Sequence, residues 1–243
     1  MDKLTKIYGI GPALAKDLVK DYNLDLDKPI RRQLKRKSVY PHLPEATKAD
    51  LKYNPSRKIP RGIIHQVEME LNKYWKGTRF DVAGSYRRKK PTSRDVDIVI
   101  CIPETKTSTQ FWDALQLKLR GSRSLIFSKP YASGPDKISV IMGFHGKATV
   151  RGVTKKYKVN IKLDLFFTHS NEYMFTLLYG TGSGNFNMIM RAQAKRKGYL
   201  LNQRGLFIVV DKAGDILKRV RIRNEKDLFK KLNMKYKLPE DRH

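Results

Sequence analysis

Apolar positions along the chain follow two rhythms. After Gly9-Ile10-Gly11-Pro12, residues Ala13, Leu14, Leu18 and Val19 share one helical face, which predicts a turn followed by a helix. Gly9 and Gly11 supply a permissive backbone there, and Pro12 suits a first helical turn. The proline-rich stretch 38–62 reads as a linker with a short helix inside. A helix is then expected over IIHQVEMELNKYW, residues 63–75. The rhythm switches to β-branched, partly alternating runs in FDVAGS (80–85), DVDIVICI (95–102), KISVIMGF (137–144) and YKVNIKLDLFF (157–167). The last part begins with an apolar helical stretch, NEYMFTLLYG, a glycine-rich turn, TGSG, and a basic helix, NFNMIMRAQAKRKG. Strands around GLFIVV and DILKRVRI and a final helix, EKDLFKKLNM, complete the pattern. These elements predict an α+β chain in three regions: a helical region 1–57, a sheet backed by helices over 58–168, and a small α/β region 169–243.

Charge narrows the function. The 51 Lys and Arg residues against 23 Asp and Glu give a formal net charge of +28. Charge so far from zero opposes compaction and favours a polyanionic partner. Nucleic acid is expected rather than a membrane, because no stretch is long or apolar enough to span a bilayer and the charge is not confined to one amphipathic helix. On charge alone, a ribosomal or chromatin-type binding protein fits equally well. The single cysteine, Cys101, excludes an intramolecular disulfide, and the first ten residues lack the apolar core of a secretory signal. An intracellular protein, nuclear or cytoplasmic, is therefore expected.

The chemistry concentrates in VAGSYRRKKPTSRDVDIVI. On a strand, Asp95 and Asp97 point to one side while Val96 and Ile98 point to the other. Two adjacent carboxylates repel unless they hold cations, and hard ions such as magnesium prefer oxygen ligands. Upstream, Gly84-Ser85 ends a strand and can open a helix, presenting amides and a hydroxyl to a phosphate. Arg87, Arg88, Lys89 and Lys90 add charge beside it. A phosphate site next to paired carboxylates suits nucleotidyl transfer. Asp-x-Asp and Gly-Ser each recur by chance; their order and strand context give them weight. Asp164 lies in an otherwise apolar strand, where a lone Asp is usually a turn residue. On a neighbouring strand it could complete a three-carboxylate site for two metals. His42 and His65 read as structural.

With these motifs in this order, the chain resembles the family X DNA polymerases, of which DNA polymerase beta is the best-known member. The resemblance rests on GIGPALAKDL, KIPR, GSYRR with DVD, KLDLF, YGTGS, FNMIMRAQAKRKGYLLNQRGLF, and an ending with Tyr236, Pro239 and Arg242. It covers nearly the whole chain. It implies a nucleotidyltransferase palm sheet, a helix-hairpin-helix DNA-binding subdomain before it and a nucleotide-selection subdomain after it. The implied activity is DNA-directed DNA synthesis from a primer 3′-hydroxyl, as in short-gap filling during repair, by a monomer. Template-independent terminal transfer and a non-catalytic DNA-binding protein are the competing readings.

The resemblance also implies roles. Asp95 and Asp97 would ligate two magnesium ions, with manganese as a substitute, and Asp164 the catalytic one. Lys58, Ser85, Arg88 and Arg94 would hold the incoming triphosphate. Tyr179 and Gly180 would lie beside the sugar, Gly182-Ser183 would form a cis peptide, and Asn187 would reach the base. Gly9, Gly11, Lys137, Lys162 and Arg191 would contact DNA. Backbone carbonyls of Thr5, Ile7 and Ile10 would support a monovalent cation.

Several positions depart from the family pattern. Arg94 stands where glycine is usual, Lys58 where arginine is usual, and Gly180 where an aromatic ring normally packs. Gly184, Met188, Gln203 and Arg204 also differ. Relaxed base and sugar discrimination is expected from them. The family's N-terminal lyase domain has no counterpart in the sequence, so no 5′-deoxyribose-phosphate lyase activity is expected. Small viral members are reduced in a similar way, a hint of viral origin.

Overall fold

The computed structural model describes residues 2–209 and 216–243. The first helices are α1 (Asp2–Thr5), α2 (Pro12–Tyr22), α3 (Ile30–Gln33) and α4 (Glu45–Tyr53), with a 3-10 turn over Tyr40–His42. Leu4, Ile10, Leu18, Leu34 and Leu51 gather in one buried cluster between them. Pro12 opens α2, and Asn23, at φ 48°, closes it in the left-handed region. Of the two hairpin glycines only Gly9 needs its freedom, at φ 81°; a Cβ there would stand 2.7 Å from Thr47 Oγ1. A Cβ on Gly11 would meet nothing. The 38–62 stretch is not a linker throughout. Its helix α4 buries Thr47, Asp50 and Leu51, and the Thr47 hydroxyl donates to the Tyr8 carbonyl at 3.0 Å. The buried Asp50 carboxylate accepts from Arg31 at 2.7 Å and Arg57 at 3.1 Å. That pairing makes its burial tolerable.

The middle region comprises β1 (Ile59–Pro60), α5 (Arg61–Tyr74), β2 (Phe80–Val82), α6 (Gly84–Arg87), β3 (Thr92–Ser93) and β4 (Val96–Cys101). It continues with α7 (Ser108–Leu119), β5 (Leu125–Phe127), β6 (Ala132–Ser133), β7 (Lys137–Val150) and β8 (Val153–Thr168). The main sheet runs β2-β4-β8-β7-β5, with β6 beside β7. Strands β4 and β8 are parallel and the other pairs antiparallel. Ile63, Val67, Leu71 and Trp75 of the α5 segment and Trp112 and Leu115 of α7 join the inward-facing residues of the sheet in one core. Pattern reading missed α7, although its Thr107–Gln110 capping box is a sequence-level start signal.

Strands β7 and β8 form one long hairpin. Its two-residue turn, Arg151-Gly152, has φ of 53° and 78°, as a type I′ turn requires. Along it Lys147 faces Lys156 and His145 faces Lys158, and no Asp or Glu lies between Asp136 and Asp164.

The last region contains α8 (Tyr173–Thr181), α9 (Gly184–Arg196), β9 (Tyr199–Asn202), β10 (Gly205–Val209), β11 (Ile216–Arg219) and α10 (Glu225–Lys231). Its sheet runs β11-β10-β9, all antiparallel. Strand β9 was not anticipated, and the DILKRVRI run is strand only over 216–219. The expected strand ends at Val210 and Asp215 lie outside the described residues. Phe175, Phe186, Met190, Leu206, Leu228 and Phe229 form its core. Ser183 caps α9 through Phe186 N at 3.2 Å, and Asn224 caps α10 through Asp227 N at 2.9 Å. Among the described residues no helix is long and apolar enough to cross a membrane.

Candidate active site

The parallel pairing of β4 with β8 sets Asp97 directly opposite Asp164. Asp95 lies just before β4, which begins at Val96; the sequence placed it on the strand itself. Burial, and then the neighbouring carboxylates of Asp95 and Asp164, push the Asp97 carboxyl up to about 7. On Asp164, Oδ1 accepts from Ser139 Oγ at 2.6 Å, and Oδ2 lies 2.9 Å from Lys137 Nζ. Lys162 Nζ lies 3.6 Å from Asp95 Oδ2.

Among the described residues no group of three or more side chains stands ready-made around a metal position. The donor chemistry nevertheless fits a hard divalent ion. Every donor is a carboxylate oxygen, and the repulsion that raises Asp97 is what a cation between the carboxylates would relieve. Asp95, Asp97 and Asp164 are the residues that would hold it.

Gly84 explains the turn beneath this trio. Its φ is 57°, and a Cβ on it would stand 2.2 Å from Asp97 Oδ2. The turn can approach the carboxylate only without a side chain. Gly84→Ala should displace Asp97 and destabilise the fold by about 1–3 kcal/mol, measured by urea unfolding. An unchanged midpoint would show that the turn relaxes freely.

The expected nucleotide-binding groups and Arg191 line one cleft of about 980 Å³, which Asp95 and Asp97 border and Asp164 does not. Lys58, Ser85, Arg88 and Arg94 line it from the middle region, together with Asp95 and Asp97. Tyr179, Gly180, Gly182, Ser183, Asn187 and Arg191 come from α8, α9 and the turn between them. Ser85 Oγ donates to Ser93 Oγ at 2.7 Å, and the Arg88 guanidinium donates to the Thr181 carbonyl. The Gly182–Ser183 peptide is cis. Tyr179 packs edge-on to Phe166, centroids 6.5 Å apart, and Arg191 lies 5.2 Å from its ring. The Asn187 amide donates to the Tyr179 carbonyl at 2.8 Å, so in this structure it is held against α8. A Cβ on Gly180 would touch Ala83 and Val99 at 3.5 Å, ordinary contact.

A second cleft, about 890 Å³, lies between the hairpin turn and the sheet. Thr5, Ile7, Gly9, Ile10 and Gly11 border it on one side and Lys162 on the other. Arg57, Arg94 and Asp95 border both clefts. Lys162 Nζ also lies 3.5 Å from the Tyr8 ring, which meets Tyr131 edge-on at 6.0 Å. The Ile7 carbonyl accepts from Ile10 N at 3.2 Å, so one of the three carbonyls expected at a monovalent cation is engaged within the turn. Lys137 stands apart from both linings, at Asp164.

Sequence reasoning missed Arg57, Phe166, Ser93 and Tyr8, whose positions follow from long-range packing and carry no local signal. It also missed that His65 lies 3.8 Å from the Glu68 carboxylate and 3.4 Å from the Tyr86 hydroxyl. His42 lies tilted against the Tyr22 ring, centroids 5.7 Å apart. A further set ties the last region to α6. Arg87 donates to Thr181 Oγ1 at 2.8 Å and to Glu225 Oε1 at 2.9 Å. Glu225 Oε2 takes the buried Arg242 guanidinium, and Ser183 N donates to the Arg242 carbonyl at 3.2 Å.

Asp97 and Asp164 thus face each other across parallel strands, beside a cation-lined cleft that the middle and last regions share, the arrangement of a palm and a thumb. Residues 58–167 match the family model described as DNA polymerase beta palm, and residues 176–243 the one described as DNA polymerase beta thumb. The chain belongs to the family X DNA polymerases. It is 29% identical over 212 residues to DNA polymerase lambda of Arabidopsis thaliana, covering 83% of this chain and 37% of that protein. It is 29% identical over 159 residues to the repair DNA polymerase X of African swine fever virus, covering 65% of this chain and 78% of that one. Its fold matches a ternary P/T complex of Leishmania infantum polymerase beta with a TM-score of 0.80 and 28% identity, over 99% of this chain and 96% of that one. The chain thus spans little more than a third of the plant relative.

Proposed function

We propose that this chain is a DNA-directed DNA polymerase that extends a primer 3′-hydroxyl across short gaps in repair. The observation that carries it is the β4–β8 register, which sets Asp164 opposite Asp97, itself bordering the cleft that Lys58, Arg88 and Arg94 line. Two magnesium ions on Asp95, Asp97 and Asp164, with manganese as a substitute, would lower the pKa of the primer hydroxyl and neutralise charge on the leaving phosphates. The remaining work falls to the chain's own groups. Ser85, Arg88, Lys58 and Arg94 bind the triphosphate as charge-assisted donors. Tyr179 and Gly180 flank the sugar, and Arg191 reaches toward the template. Asp164 takes part in drawing the proton from the primer hydroxyl.

The hairpin turn supports DNA binding in a second way. Gly11 at the start of α2 provides no side-chain cap, and the space beside it is open. A phosphate can therefore approach the α2 amides, without sequence preference. The viral relative's name, a repair polymerase, agrees with gap filling.

Primer extension on gapped, recessed and single-stranded DNA with magnesium or manganese tests the proposal. Extension of the gapped and recessed substrates is expected. Extension of single strands alone would indicate terminal transfer, and no incorporation at all would indicate a DNA-binding protein. Matched against mismatched, and deoxy- against ribonucleotide, insertion tests the relaxed selectivity expected from Arg94, Gly180, Gly184, Met188, Gln203 and Arg204. DNA affinity should also fall steeply with salt. Contact with about six phosphates gives a log–log slope near −5, readable by anisotropy titration from 50 to 200 mM salt. A flat response would assign the basic surface to something else.

A further inference from the structure

We propose that Lys137 is a positioning residue that makes metal binding at Asp164 conditional on bound DNA. The inference rests on the reading of Asp95, Asp97 and Asp164 as metal ligands.

Strand β7 supplies donors to both oxygens of Asp164. Ser139, its direct cross-strand partner, donates to Oδ1 at 2.6 Å. Lys137 Nζ sits 2.9 Å from Oδ2. The two partners differ in freedom. The Asp164 side chain is 11% exposed and the Lys137 side chain 42%, so the carboxylate is held in the fold while the lysine is partly open to solvent, its ammonium 5.0 Å from the Phe166 ring. A hard divalent ion binds a carboxylate oxygen at about 2.0–2.1 Å. An ammonium at 2.9 Å from the same oxygen occupies that approach and repels a second cation there. Asp95 is paired in a weaker version of the same arrangement, with Lys162 at 3.6 Å. Among the described residues, the Asp97 side chain alone of the three has neither a hydrogen bond nor an ion pair.

The lysine stem is flexible and its head is a compact point charge that moves readily between partners. A DNA phosphate arriving at the exposed side gives it an alternative anion. Once the ammonium pairs with phosphate, Oδ2 of Asp164 is free, and Ser139 remains to orient the carboxylate. Free enzyme therefore keeps Asp164 neutralised from within, and DNA exchanges that internal cation for an external one. Because coupling is reciprocal, metal must strengthen DNA binding by the factor by which DNA strengthens metal binding.

The test is manganese binding, read from the electron paramagnetic resonance signal of free aquo-Mn²⁺, with and without gapped DNA ending in a dideoxy primer. No chemistry occurs in these samples. Wild type should bind Mn²⁺ about tenfold more tightly with DNA than without, a coupling of ordinary size. Lys137→Met should bind it about tenfold more tightly without DNA and show no further gain on adding DNA. Lys137→Arg keeps the charge and should restore the DNA dependence. Mn²⁺ should raise DNA affinity in wild type and not in Lys137→Met. Equal Mn²⁺ affinity of free wild type and free Lys137→Met would overturn the proposal, as would a DNA dependence that survives Lys137→Met. Asp97→Asn and Asp164→Asn separate the two levels. If these bind Mn²⁺ as wild type does, the metal-ligand reading fails, and the coupling with it. If they lose it while Lys137→Met matches wild type, the ligand reading stands and the coupling alone is wrong.

Discussion

Asp97→Asn should stop nucleotide incorporation and, in the absence of metal, make the protein harder to unfold. The first effect follows from the charge the transferring phosphoryl group develops. Metal ions held by the carboxylates are worth several kcal/mol to that transition state, so a loss of about a thousandfold or more is expected in single-turnover extension. The second follows from the surroundings of the carboxylate. Burial first, and then Asp95 and Asp164, raise it to about 7 from an ordinary 3.8. A carboxyl whose folded pKa lies above its unfolded one lowers stability as pH rises between the two values, and the penalty is complete above the higher one. Asparagine has nearly the same shape and does not titrate. In EDTA, the variant should therefore gain on the order of 1–3 kcal/mol above pH 7, after the cost of burying an amide, and nothing near pH 4. Urea midpoints across that range measure it. A variant less stable than wild type above pH 7 would mean that the three carboxylates do not repel one another in the folded protein.

Glu225→Ala should be the most destabilising single change outside the hydrophobic core. Arg242 is fully buried, with its guanidinium 5.5–6.0 Å from the rings of Phe186, Phe229 and Tyr236. Its Nε and Nη2 donate to the Lys237 carbonyl at 3.2 and 3.0 Å, but the only carboxylate it meets among the described residues is Glu225. Removing one partner of a buried pair leaves an uncompensated charge, and about 3–5 kcal/mol is the usual consequence. Glu225→Gln, which retains an acceptor, should lose less. Equilibrium unfolding in urea reads both. Arg87 links the same carboxylate to Thr181, and the Arg242 carbonyl holds Ser183 N. The nucleotide KM should therefore rise in Glu225→Gln while the chemistry survives. A loss under about 1 kcal/mol for Glu225→Ala would show that water reaches Arg242.

The two findings sit at opposite ends of what the sequence made legible. Asp95 and Asp97 were visible because period-two spacing puts them on one side of a strand next to Gly84-Ser85, all within fourteen residues. Asp164 looked ambiguous until a resemblance set it opposite them, and the parallel register supplies the physical reason. Local periodicity could not reveal that β4 starts one residue late, nor that Lys137 and Ser139 are turned onto Asp164. Cross-strand facing depends on register, which a chain does not display. The Arg87–Glu225–Arg242 set joins positions 138 and 17 residues apart, beyond any pattern of 2 or 3.6. Helix α7 was hidden differently: its capping box was readable, but apolar residues off the buried Trp112–Leu115–Leu119 face, such as the exposed Leu117, blur the stripe. The short helix expected among the prolines of 38–62 is α4, but those prolines suggested a tether where the chain in fact packs Thr47 against Gly9.

The long hairpin of β7 and β8 has a consequence for the molecule as a material. Lys147 against Lys156 sets like charges across adjacent strands, with no acid in the intervening sequence to dilute them. Such pairs push the strands apart, so the hairpin is under electrical tension whenever the surrounding solution is dilute. Counterions relieve that tension at high salt, and a polyanion relieves it at low salt. A polyanion lying along β7 and β8 would therefore strengthen the hairpin at low salt as well as occupy it.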